Sequence, residues 1–136
     1  MIGPKMAAQI LGLAGGLAAL TKIPACNLQV LGQVRGTSSS RGGMSTNSGS
    51  NTGVGPHMGV LVDCDLVQAC PSSLQRKALK LVAAKLALAI RYDFSNVDAG
   101  RPRSAQTGME LRRQLETKLE HLQTPDKAPV LKALPK

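Results

Sequence analysis

Aromatic side chains are nearly absent from this chain of 136 residues, which has one tyrosine, one phenylalanine and no tryptophan. Hydrophobic residues nevertheless make up 43% of it, enough for one domain with a buried core. That core must consist of Leu, Ala, Val and Ile, a set that suits packed helices better than sheets. The composition therefore predicts an all-α fold.

Acidic residues are missing from two long stretches. No Asp or Glu precedes Asp63 and none lies between Leu66 and Tyr92, while the whole chain carries a net charge of +9. Such a balance favours an anionic partner, with nucleic acid the first candidate and a membrane surface the second. Simple solubilising charge is the alternative.

Cysteine pairs and catalytic signatures are missing too. The three cysteines form no C-x-x-C pair, so the sequence indicates neither a disulfide framework nor a zinc site, and we expect reduced thiols in the cytosol or nucleus. His57 and His121 have no nucleophile pattern beside them, and Asp63-x-Asp65 is too sparse for a metal loop. We predict no enzyme activity, no cofactor and no metal.

The N-terminal part predicts helices. Apolar residues recur at steps of three and four from Met6 to Leu20, which predicts one helix, apolar nearly all round, in the middle of a bundle. Gly12 and Gly16 would let a neighbouring helix approach closely. This segment is too short to span a bilayer. Pro24 fits the first position of a second, short helix that stops near Gly32.

The middle and end of the chain alternate between loops and helices. Residues 36–55 are almost all Gly, Ser, Thr or Asn, which predicts a long flexible loop. Residues 56–70 predict a short extended piece that leads into a helical turn. Two long helices follow, from Leu74 to about Tyr92 after a start at Pro71, and from about Ala105 to Leu122. We expect one domain over residues 1–124 and an extended tail over 125–136.

The first long helix carries the clearest functional pattern. On a wheel of about 100° per residue, four cations share one arc: Arg76, Lys77, Lys80 and Arg91. Ala84 and Ala87 lie between them, so a flat basic face could let a phosphate backbone come close. No acid is interleaved to pair with these cations. Lys85 instead falls in the apolar arc, and we expect it to form an ion pair with Asp63 or Asp65.

Residues around the loop are weaker candidates. Arg35 and Arg41 could contact phosphate, although a solvated loop is the default. His57, at the end of the loop, could hydrogen-bond to or stack on an unpaired base. In the short helix, if Leu28 and Leu31 pack inward, Ala25 and Gln29 turn outward.

Two long motifs resemble the Nop domain family. They are GLAGGLAALTKIPACNLQVLG at residues 12–32 and PHMGVLVDCDLVQACPSSLQRKALKLVAAKLALAIR at residues 56–91. The resemblance is strong over about residues 2–94 and looser beyond. Pro24-Ala25-Cys26-Asn27 and the Leu-Gln-Arg-Lys helix start are similar to the spliceosomal branch of the family, while the nucleolar branch has an Ala-Leu-Phe-Arg run where this chain has its Ser/Gly-rich loop.

The resemblance implies a compact helical module that binds RNA and protein together in the nucleus. Such domains recognise a kink-turn RNA after a small kink-turn-binding protein has engaged it. In the spliceosomal branch the RNA would be the 5′ stem-loop of U4 small nuclear RNA, within the U4/U6 and tri-snRNP particles, beside other tri-snRNP proteins. The candidate contact residues are Lys22, Ala25, Asn27, Gln29, Arg35, His57, Arg76, Lys77, Lys80 and Arg91.

Other interpretations stay open at this point. A nucleolar box C/D protein, a helical scaffold that binds only protein, and a membrane-surface role each fit part of the sequence, although aromatic membrane anchors are missing. The family's Trp-Gln-Glu-Pro-like ending is here His121-Leu-Gln-Thr-Pro125. The family's upstream coiled coil and basic tail are also missing, so we expect the sequence to be part of a longer protein.

Overall fold

The computed structural model describes residues 1–33, 59–102 and 104–124, and this part of the chain contains helices and no strand. The predicted all-α fold is thereby confirmed. The predicted loop over 36–55 and tail over 125–136 lie outside the described residues. The elements are α1 Pro4–Ala14, α2 Leu17–Thr21, α3 Ala25–Leu28, a 3-10 turn Val60–Asp63, α4 Asp65–Gln68, α5 Ser72–Asp98 and α6 Gln106–Gln123.

The apolar N-terminal segment is two helices, so the prediction of one helix is wrong. Gly15 ends α1 in the left-handed conformation (φ 83°) and Gly16 follows at φ 120°. Only glycine adopts such angles without strain, and apolar periodicity alone does not reveal the break. The predicted position in the middle of a bundle is also wrong, because α1 buries only Met6 and Ile10. No neighbouring atom lies within 4 Å of a Cβ placed at Gly12 or Gly16, so the close approach predicted at these glycines does not occur.

α5 is the central helix and packs against α2, α3, α4 and α6. Small and branched residues bring these elements close to its axis: Ala78, Val82 and Ala83 are completely buried. The helix begins after Pro71, as predicted, but continues beyond the predicted end at Tyr92 to Asp98. The buried Asn96 lies in this additional part.

α6 packs along α5 through Leu115 and Leu119, and its bounds agree with the prediction. Lys85 of α5 lies at this contact, where its Nζ donates a 2.7 Å hydrogen bond to Oε1 of Gln114. The predicted ion pair with Asp63 or Asp65 is therefore wrong. Lys85 is half-buried, so an amide oxygen together with solvent satisfies its charge.

Two backbone hydrogen bonds fix the segment after α3. The Gly59 N–H donates to the Gln29 carbonyl at 2.8 Å, and the Val60 N–H donates to the Leu31 carbonyl at 3.0 Å. A Cβ at Gly59 would collide with the Leu31 carbonyl oxygen, so this approach requires glycine. From Val60 the chain forms a 3-10 turn, and the predicted helical turn follows as α4. Residues 56–58, where the predicted extended piece begins, lie outside the described residues. The fold thus holds α3 against both α5 and the chain that returns at residue 59.

Candidate nucleic-acid interface

The buried side of α5 determines which way its cations point. Alanines and aliphatic residues face the core, and the opposite side presents the four predicted cations to solvent. All of them are exposed: Arg76, Lys77, Lys80 and Arg91. We call this surface the basic face. The structure therefore brings together, on one helix, the cations that the sequence places there.

The uncharged residues between the cations of the basic face differ from the prediction. Ala84 is exposed between the cations, as expected, but Ala87 is only 6% exposed and belongs to the core. A helical wheel could not show this, because the helices packed around α5 bury a wide arc of its surface. That arc extends as far as Ala87, close to the position of Arg76. Leu88 is 51% exposed on the same side of the helix, so the face carries one bulky apolar side chain that the sequence prediction left out.

The charge of the basic face is not compensated by carboxylates. Within residues 1–33, 59–102 and 104–124, the one salt bridge joins Arg112 and Glu116 on α6, at 2.9 Å. Among the described residues, no carboxylate oxygen lies within 4 Å of a cationic nitrogen of α5. Their fields therefore add over the surface, and this favours binding of a polyanion.

The segment from Lys22 to Gln29 has one exposed and one packed side. Lys22 and Asn27 are exposed, and Leu28 is completely buried, as expected. Ala25 is half-buried and packs against the core, and Gln29 is half-buried as well. The expectation that Ala25 and Gln29 turn outward is thus only partly right, because α3 is one turn long and both of its flanks touch neighbouring elements.

α3 packs directly on α5, so the exposed side of α3 and the basic face belong to one rigid part of the fold. Two predicted contact residues, Arg35 and His57, lie outside the described residues, and their roles stay predictions. The sequence prediction gave no role to Leu88 or to Tyr92, which is 43% exposed one turn further along α5. No sequence signal would have singled them out, because their exposure depends on how the neighbouring helices pack.

Tyr92 has a distinct environment at the contact with α6. Hydrogen bonding from the side chains of Thr107 and then Asn96 lowers the pKa of the Tyr92 phenol, and the positive charge of Arg101 adds to this. Burial and the nearby Asp93 act in the opposite direction. The phenol therefore lies near Thr107 at the start of α6 and Asn96 of α5.

The described residues offer a surface for binding. Among them no cluster of His, Cys, Asp or Glu could hold a metal ion. Nor is any helix within those ranges both long and apolar enough to cross a membrane. The arrangement of exposed cations beside a packed short helix suits recognition of a negatively charged macromolecule.

Relatives among known proteins match almost the whole chain. A U4/U6 small nuclear ribonucleoprotein Prp31 of Danio rerio is 39% identical over 135 residues, and its Homo sapiens counterpart is 41% identical over 135 residues. An Arabidopsis thaliana homologue of Prp31 is 38% identical over 143 residues. Each match covers 99% of this chain and 24–25% of the relative, so the chain spans about a quarter of their length.

The family comparison covers nearly all of the described structure. The Nop family profile, described as "snoRNA binding domain, fibrillarin", matches residues 1–121. That range contains both predicted motifs, α3 and the whole basic face. The chain therefore belongs to the Nop domain family, with Prp31 proteins among its relatives.

Proposed function

We propose that this chain is an RNA–protein binding module of the spliceosomal U4/U6 and tri-snRNP particles, acting in pre-mRNA splicing in the nucleus. It recognises the composite surface formed by the U4 snRNA 5′ stem-loop, a kink-turn, and its small kink-turn-binding protein. The basic face of α5 contacts RNA, and the exposed side of the Lys22–Gln29 segment contacts the protein and RNA together. The role is binding, without a catalytic step.

The observation that carries the proposal is the uncompensated basic face. Four exposed cations lie on one helix in a stretch without acids, and no carboxylate of the described residues pairs with them. A solvated structural face would carry interleaved acids, as α6 does. The names of the Prp31 relatives, which include U4/U6 small nuclear ribonucleoprotein, support the choice of particle.

The test is a gel-shift titration with a kink-turn stem-loop of the U4 5′ type. It is run with and without the small kink-turn-binding protein, at two salt concentrations. We expect binding to the preformed RNA–protein complex, weakened by salt, and much weaker binding to RNA alone. Equal binding to naked RNA would reduce the basic face to a non-specific patch, and lack of binding to both would contradict the proposal.

Variants at the short helix separate the two parts of the surface. Ala25→Gln is a poor first choice, because Ala25 packs against the core and the longer side chain must displace its neighbours. Asn27 is exposed, so Asn27→Tyr adds bulk at the proposed contact while leaving the packing intact. We expect Asn27→Tyr to weaken binding to the preformed complex and to leave the unfolding midpoint unchanged.

A second candidate is a protein of nucleolar box C/D particles. The observation in its favour is the description of the matching family profile as a snoRNA binding domain. The same titration with a box C/D kink-turn tests it. Tighter binding to the box C/D complex than to the U4 complex would favour this candidate over the spliceosomal one.

A further inference from the structure

One exposed ridge of α5 changes from charged to apolar along its length. Residues four apart on a helix lie on one ridge, and this ridge consists of Arg76, Lys80, Ala84, Leu88 and Tyr92. All are exposed, with Leu88 at 51% and Tyr92 at 43%. Leu88 and Tyr92 thus form an apolar continuation of the basic face.

Cations lie before and after Leu88 along α5. Lys80 precedes Ala84, and Arg91 follows Leu88 by three residues, which makes the two side chains neighbours on the helix surface. At about 1.5 Å of rise per residue, Lys80 and Arg91 are about 17 Å apart along the axis. An RNA strand whose phosphates contact both passes Ala84, and exposed Leu88 flanks that path.

The uncharged part suits a nucleobase better than a phosphate. The methyl group of Ala84 leaves room for close approach, and the Leu88 side chain offers neither charge nor a hydrogen bond. Tyr92 adds an exposed aromatic ring, and such rings stack on bases of any sequence. Base faces are accessible in this way when the nucleotide is unpaired.

We propose that Leu88 and Tyr92 contact an unpaired nucleobase of the RNA whose phosphates bind Arg76, Lys77, Lys80 and Arg91. This inference rests on the proposed function and adds to it a base contact on α5. The positive charge of Lys80 and Arg91, before and after Leu88 along the helix, favours RNA over an apolar protein surface as its occupant.

Tyr92 itself supplies the reporter, because it is the only tyrosine of the chain. Incorporation of 3-fluorotyrosine gives one fluorine NMR resonance, which an unlabelled partner protein does not obscure. The resonance is recorded for the free chain, with the small kink-turn-binding protein alone, and with the preformed complex of that protein and the U4-type stem-loop. We expect it to move only in the presence of RNA.

Affinity measurements with variants locate the contact. Leu88→Ala should weaken binding about 3- to 10-fold, and its salt dependence should not change, because no ion pair is lost. Leu122→Ala is the matched control, since Leu122 is an exposed leucine at the end of α6. We expect this control to bind as the unmodified chain does.

The outcomes separate this inference from the proposed function. If the complex binds but the resonance stays in place and Leu88→Ala has no effect, the base contact is wrong and the proposed function stands. If the small protein alone moves the resonance, the occupant is protein and the inference is overturned. If neither the RNA nor its complex binds, the proposed function fails, and the inference with it.

Discussion

The two long helices α5 and α6 lie side by side and both carry several cations, but they arrange charge differently. Between Ser72 and Tyr92, α5 contains no acid, and its exposed cations have no carboxylate partner among the described residues. On α6, Glu110, Glu116 and Glu120 alternate with basic residues, and Arg112 pairs with Glu116. The sign pattern, more than the number of charges, distinguishes a surface that attracts a polyanion from one that is simply solvated.

The two helices have separate roles. α6 contributes apolar contacts through its inner side, and its outer side is neutralised locally. α5 is packed on one side and unneutralised on the other, so one helix forms the centre of the core and the proposed binding surface. We therefore expect substitutions on the outside of α5 to change binding, and substitutions on the inside of α6 to change stability.

The largest effect is expected for Leu115→Ala on the inner side of α6. Leu115 is completely buried, and its truncation should lower the free energy of unfolding by about 2–5 kcal/mol. Chemical denaturation followed by far-ultraviolet circular dichroism measures this. Leu122→Ala, at an exposed position of the same helix, should cost less than about 1 kcal/mol. Equal losses for both variants would show that α6 does not pack as described.

The second prediction compares the effect on binding of two double charge reversals, one on α5 and one on α6. Lys77→Glu with Lys80→Glu should weaken binding to the preformed RNA–protein complex about 100-fold, because two attractive charges become repulsive. Arg113→Glu with Lys118→Glu changes the net charge equally at exposed positions of α6. We expect this control to stay within about 3-fold of the unmodified chain. Similar losses for both pairs would mean that net charge alone drives binding.

A single neutralisation on α5 gives a smaller and more specific effect. Lys80→Ala should weaken binding about 3- to 10-fold and reduce the slope of log affinity against log salt by about one. Titrations at four salt concentrations are sufficient to determine the slope. An unchanged slope would indicate that Lys80 does not contact phosphate.

The salt bridge of α6 should matter little. Arg112 and Glu116 are exposed to 42% and 46%, and such helix pairs are worth about 0.3–0.5 kcal/mol. Glu116→Gln should lower the free energy of unfolding by no more than this, and the difference should vanish at high salt. A loss that persists in high salt would assign Glu116 a contact other than the ion pair.

The smallest effect concerns the Tyr92 phenol, where α5 meets α6. Its pKa is lowered chiefly by Thr107, so Thr107→Val should raise it toward the usual value of about 10. Alkaline titration followed by tyrosinate absorbance reports this single residue. Since the folded-state pKa is the lower one, its contribution to stability is present above the unfolded pKa and lost as the pH falls through the folded one. At neutral pH the phenol is protonated in both the folded and the unfolded state, so this pH-dependent contribution is absent there. An unchanged pKa would contradict the hydrogen bond.

Much of the fold follows from local sequence patterns, and the errors have identifiable causes. Apolar periodicity and Pro71 gave α5 and α6 nearly correctly, because long amphipathic helices repeat their signal many times. The same apolar periodicity continues across Gly15 and Gly16, although the positive φ angles of these two glycines end α1 there. The partner of Lys85 is Gln114, 29 residues away, and no local pattern encodes that contact.

The candidate site shows the same limit. The exposed cations of α5 could be predicted because a helix wheel is enough to group them. The burial of Ala87 and the partial burial of Ala25 depend on neighbouring helices, which the wheel does not contain. Leu88 was missed because an apolar residue in an apolar helix gives no signal until its exposure is known.

The hydrogen bonds from Gly59 and Val60 to the end of the α3 segment have a consequence for how this domain tolerates change. They hold residues 29–31 and 59–60 together, so the ends of the intervening stretch of chain stay at a fixed separation whatever its length. Closing a longer loop costs little, about 0.6 kcal/mol for each doubling. We therefore expect the stretch between residues 31 and 59 to accept an inserted tag or domain while α3 and the basic face keep their relative positions.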